Sequence, residues 1–127
     1  MSSSSQLIAA SVLALGAVLA FDAAAATVRV TCEVRANRSK ISVDGKALAA
    51  GTYTTEAISG GNSATAGPAK ARRGQVETDY DSNPADIADG ATAIASNFIQ
   101  GASVTGKVID SSGNTVAVDT VLCRVRN

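Results

Sequence analysis

Two cysteines, Cys32 and Cys123, lie near opposite ends of this 127-residue chain, each in a run whose apolar residues recur at every second position. In "TVRVTCEVR", Val28, Val30, Cys32 and Val34 fall on one face of an extended strand, with Arg29, Thr31, Glu33 and Arg35 on the other. In "VDTVLCRVRN", Val121, Cys123 and Val125 share a face, while Leu122, Arg124 and Arg126 point away. Both sulfurs therefore belong to inward faces, and a disulfide between them predicts a β-sandwich whose first and last strands meet in the core. Closing a loop of about ninety residues contributes about 4 to 5 kcal/mol in the chain-entropy model. Two free thiols forming a redox pair are the alternative, but the chain has no Cys-x-x-Cys spacing to tune them.

A disulfide requires an oxidising compartment, and the N-terminus offers a route to one. Leu7 to Phe21 is a 15-residue apolar run, followed by Asp22 and the small-residue tract Ala23 to Ala26, which presents Ala-x-Ala cleavage sites. The expectation is a signal peptide over residues 1–26, a secreted or periplasmic product with no membrane attachment once cleaved, and a single domain over residues 27–127. No Lys or Arg precedes the run, and Leu7 to Ala26 is almost long enough to span a bilayer, so an uncleaved anchor is the competing reading. Cys32 follows "VRVT", away from where a lipoprotein would carry its cysteine, so a lipid anchor is not expected.

The strand period continues along the chain, punctuated by turn residues. Asp44-Gly45 predicts a hairpin turn beside the short strand of Ile41 and Val43. "GTYTTEAIS" predicts the next strand, and Gly60 to Gly74 reads as a long loop with room for a short strand. "QVETDYDS" follows, with Val76, Thr78 and Tyr80 facing in. Pro84 after Asn83 starts a single helical turn that Gly90 stops. A hairpin is expected around Asp110 to Asn114. Val116 and Val118 have the opposite parity to Val121, which calls for a bulge near Asp119 and Thr120. About seven short strands with no amphipathic helix of useful length make a small antiparallel β-sandwich, immunoglobulin-like or transthyretin-like.

"VTGKVIDSSGNTVA" (Val104 to Ala117) resembles the strand-turn-strand signature of carboxypeptidase-regulatory and transthyretin-like modules, and "LAAGTYTTEA" (Leu48 to Ala57) resembles their Gly-x-Tyr strand. The two segments occur in the reverse of that family's order. The resemblance implies a small β-sandwich and transfers no functional residue.

Composition narrows the chemistry. The chain has no His, which removes the commonest general base, the Ser-His and Cys-His nucleophile pairs and imidazole metal sites. With both thiols oxidised, cysteine nucleophiles and thiolate metal sites go as well. No enzyme is expected, and no cofactor is required. Eleven basic and eleven acidic residues cancel, leaving no global field to attract nucleic acid or an anionic membrane. Tyr53, Tyr80 and Phe98 are the aromatics of residues 27–127, and the core needs them, so stacking on bases is not supported.

Two charged groups remain as candidate sites. "ETDYDSNPADIADG" places Glu77, Asp79 and Asp81 on one outward strand face and adds Asn83, Asp86 and Asp89 in the following turn. Asp79, Asp81, Asn83, Asp86 and Asp89 offer the hard oxygens that calcium prefers. The spacing begins like an EF-hand loop but departs from it at Pro84 and Gly90, so a solvated acidic strand end is the other reading. Arg29, Arg35, Arg124 and Arg126 form one basic patch if the terminal strands are neighbours, and Lys70, Arg72 and Arg73 make a second. Either suits an acidic glycan or an acidic surface on another copy, and either is equally at home as a solvated face. The expected function is a structural or interaction module that binds a protein partner or itself, with calcium or small-ligand binding by the acidic segment as the alternative.

Overall fold

The computed structural model describes residues 25–127, so the expected signal segment, apart from Ala25 and Ala26, lies outside the described residues. Strands β1 (Thr27–Arg35) and β2 (Arg38–Lys46) form a hairpin turned at Ala36 and Asn37. A second hairpin pairs β3 (Thr52–Ser59) with β4 (Asn62–Lys70), turned at Gly60 and Gly61. After β5 (Val76–Asp81) come the short helix α1 (Pro84–Ala88) and the two-residue strand β6 (Thr92–Ala93). The hairpin of β7 (Ser103–Asp110) and β8 (Thr115–Leu122) follows, and β9 (Arg124–Val125) ends the order.

These elements build two sheets. One runs β9-β1-β2-β5-β6, with its two terminal pairings parallel, and the other runs β4-β3-β7-β8, antiparallel throughout. The architecture is the expected all-β sandwich, with nine strands among the described residues where about seven were predicted. Both segments that resemble the transthyretin-like modules fall in the four-stranded sheet, where β3 pairs with β7.

Val30, Ile41, Val43, Ala57, Tyr80 and Val104 are buried in the core, and Leu48, Tyr53, Val76 and Val108 close one end of it. Most of the strand residues among them alternate with exposed or half-buried neighbours, as strands covered on one face require. Buried Tyr80 and Thr55 sit on opposite sheets, with 2.6 Å between their hydroxyl oxygens, and Thr55 Oγ1 lies 2.8 Å from Thr78 Oγ1. Burial pushes the Tyr80 hydroxyl above its ordinary pKa. The interior polar groups are thus paired, and no buried side-chain nitrogen or oxygen among the described residues lacks a partner. Gly106 on β7 lets the facing sheet pack tightly: a Cβ there would stand 2.5 Å from Val30 Cγ2.

The expected disulfide is present. Cys32 Sγ and Cys123 Sγ are bonded, with their Cα atoms 4.7 Å apart. Cys123 lies between β8 and β9, where the chain leaves one sheet for the other, so the bridge clamps the two sheets at that edge.

Several local expectations are corrected. Asp44-Gly45 is not a turn but lies inside β2, because Gly45 makes room for Leu48 Cδ1 and Val108 Cγ2, each 3.1 Å from where its Cβ would stand. Residues 60–74 are not mainly loop, since nine of them form β4. The bulge in β8 falls at Val116 instead of Asp119 and Thr120: Ala117 is opposite Val108 and Thr115 opposite Ile109, with Val116 unpaired between. Val116 and Ala117 thereby both reach the core, and Val118 turns outward. Val125 leaves the inward face when the chain changes sheets and is exposed in β9. Asp81 has outward parity but is 2% exposed.

Candidate functional site

The acidic segment is organised by Arg38, at the start of β2. Its Nε donates to Asp81 Oδ1 at 3.0 Å and its Nη2 to Asp81 Oδ2 at 2.7 Å, a two-point grip on a carboxylate at the end of β5. The same Nη2 donates to Asp86 Oδ2 on α1 at 2.8 Å. Asn83 donates its backbone N–H to Asp81 Oδ1 at 2.9 Å and accepts from Ala85 N–H through its own side chain, capping α1. Burial pushes the Asp81 carboxyl upward, but the Arg38 guanidinium and the Asn83 N–H outweigh it and hold the pKa below the ordinary range. Of the other candidates, Asp79 accepts from Ser42 Oγ at 2.5 Å, and Asp79 and Asp89 line one groove of about 470 Å³ with Asp81, Asp86, Glu77 and Lys40.

Asp81, Asn83 and Asp86 are thus brought together, but around a guanidinium. Among the described residues no three acidic side chains converge as a metal-holding group. Arg38 escaped the sequence reading because it lies 43 residues before Asp81, with no local pattern linking the two.

The terminal strands are neighbours, as the basic patch required: Arg124 and Val125 pair in register with Glu33 and Val34. Glu33 occupies the middle of that patch. Arg35 Nε donates to it at 2.8 Å, and Arg126 Nη1 lies 3.6 Å away. The hydrogen bond from Arg35 lowers the Glu33 pKa against the effect of burial. Arg29 stands apart, in register with Asp44. Lys70 ends β4, and Arg72 closes a turn with Gln75.

Leu122 points away as its parity predicted, and the structure adds two more exposed apolar residues to it. Leu122 is 84% exposed, Val125 61% and Val118 57%, and all three lie on β8 and β9, the strands that end the two sheets on one side. The sandwich's other edges are blunted. Strand β4 carries Pro68 and a register shift near it, while β6 and β9 have two residues each. Strand β8 is eight residues long, contains no proline, and among the described residues pairs on one side only, with β7.

Its backbone orientation follows from two hydrogen bonds. Cys123 N–H reaches back to Ala102 carbonyl at 2.8 Å, whereas Thr120 N–H goes to Asp119 Oδ1 at 2.9 Å and not to β7. In an antiparallel ladder the backbone groups alternate in direction, so Val118, Thr120 and Leu122 turn theirs to the open edge. Asp119 shares its register position with buried Gly106 yet is exposed, an inward-parity charge at a strand edge. Beside Leu122, a groove of about 480 Å³ runs between Arg124 and Glu33, Lys40 and Thr31. The parity conflict of Val116 and Val118 against Val121 was the available signal for this edge.

No family model, no curated protein and no solved structure matches this chain.

Proposed function

We propose that the protein is an exported interaction module, without catalysis of its own, that holds a protein partner along the β8–β9 edge. The exposure of Leu122, Val125 and Val118 together on that edge carries the reading. Exposed apolar side chains along a strand edge suit a surface that becomes covered, because burying them gains about 25 cal/mol per Å². The disulfide and the N-terminal apolar run support export to an oxidising compartment.

The test is a photo-crosslinking residue placed at Leu122 and, separately, at exposed Thr65 on the opposite edge strand β4, in the cells that make the protein. A discrete protein adduct from position 122 and none from position 65 is expected. Equal diffuse labelling at both positions would overturn the reading.

A further inference from the structure

We infer that the partner on this edge is a second copy of the chain, joined β8 to β8 in antiparallel fashion about a two-fold axis through Thr120; this rests on the β8–β9 edge being the contact surface. The register makes the strand self-complementary. With Thr120 opposite Thr120 of the other copy, Val118 falls opposite the other copy's Leu122, and Leu122 opposite its Val118. The two exposed apolar residues of β8 thus become cross-strand neighbours. The same residues, Val118, Thr120 and Leu122, turn their backbone groups to the open edge, so this axis matches donors to acceptors as well as side chains.

Charge selects the direction. Arg124 lies just beyond the C-terminal end of β8, and Asp110 lies at the hairpin before its N-terminal end. An antiparallel pair sets the Arg124 end of each copy beside the Asp110 end of the other. A parallel pair would stack arginine on arginine and aspartate on aspartate. The product is a continuous eight-stranded sheet, four strands from each copy.

Asp119 acts as the restraint. Its carboxylate occupies the Thr120 N–H, the donor at the axis, and must release it for the strands to pair. This makes the association conditional, so that a solitary domain keeps its edge closed at low concentration.

Sedimentation equilibrium of the purified protein over a wide concentration range tests this. The wild type is expected to show a monomer–dimer equilibrium. Leu122→Lys should weaken it at least about tenfold, and Asp119→Ala should tighten it several-fold. Thr120→Cys should trap a covalent dimer under oxidation, because residues directly opposite on paired strands bring their Cα atoms to about 5.5 Å, within disulfide reach. Thr65→Cys should not. A single monomeric mass throughout, or a dimer constant indifferent to Leu122→Lys, would overturn the proposal. If a different protein is crosslinked at Leu122 while the chain stays monomeric, the second copy is excluded and the interaction-module reading survives.

Discussion

Arg38 and Asp81 join the first residue of β2 to the last residue of β5 through two hydrogen bonds, of 3.0 and 2.7 Å, on a carboxylate that is 2% exposed. Asp81→Asn removes the charged acceptor of both bonds while Arg38 keeps Asp86, so it is expected to cost about 1.5 to 3 kcal/mol in chemical denaturation. The pH dependence has a definite sign. Asp81 titrates lower in the folded chain than in the unfolded one, so its contribution is complete above the ordinary carboxylate range and disappears as the pH falls through its lowered pKa. Asp81→Asn should abolish that acid-limb component in unfolding curves taken across acidic pH.

The same guanidinium bears on calcium. Because Arg38 already compensates Asp81 and Asp86, a divalent cation has little repulsion left to relieve between those two. The expected result is a small melting shift that calcium, magnesium and sodium produce alike at matched ionic strength. In Arg38→Met, whose acidic pair has lost its cation, calcium should raise the melting temperature more than sodium does.

Asp44 behaves in the opposite way to Asp81. Partial burial and the nearby Glu77 and Asp79 raise its pKa, with Lys46 and Arg29 opposing. Its ionisation therefore costs stability, a cost absent below the ordinary carboxylate pKa and incurred as the pH rises through the raised one. Asp44→Asn should stabilise the protein at neutral pH, and the gain should vanish in acid when the two proteins are compared by thermal denaturation.

Gly106 sets a steric limit. A methyl group there meets Val30 Cγ2 at 2.5 Å and Val43 Cγ2 at 3.2 Å, so Gly106→Ala is expected to destabilise by about 1 to 3 kcal/mol. In a Val30→Ala background the 2.5 Å clash is gone and only the tighter Val43 contact remains, so the same substitution should cost distinctly less. A double-mutant cycle in urea measures the coupling.

Replacing Cys32 and Cys123 with Ala should cost about 2 to 5 kcal/mol, read from denaturant midpoints. Mass spectrometry of the unreduced protein should find no alkylatable thiol, since both sulfurs are bonded.

The sequence revealed the parts of this fold that large side chains announce. Val28, Val30 and Cys32 alternate with charged residues, and their strand and disulfide were legible from that alone. Strand β4 was not, because its inward residues include Ala64 and Ala66, too small to produce an apolar rhythm, although Gly60-Gly61 is a strong hairpin signal. Asp44-Gly45 misled for a related reason: a glycine that a distant Val108 needs looks locally like one that a turn needs. In the acidic segment the helix cap at Asn83 was legible from its immediate neighbours. The burial of Asp81 was not, since it is dictated by an arginine on another strand.

The parallel pairing of β1 with β9 carries a consequence for the order of events during synthesis. Strand β1 finds β2 at once, but its outer neighbour and its sulfur partner arrive about ninety residues later. At roughly 5 to 20 residues per second, that is a delay on the order of 5 to 20 s in which the five-stranded sheet has no outer strand and Cys32 has no mate. A chain emerging from a ribosome therefore cannot form the disulfide or complete the five-stranded sheet until β9 is released.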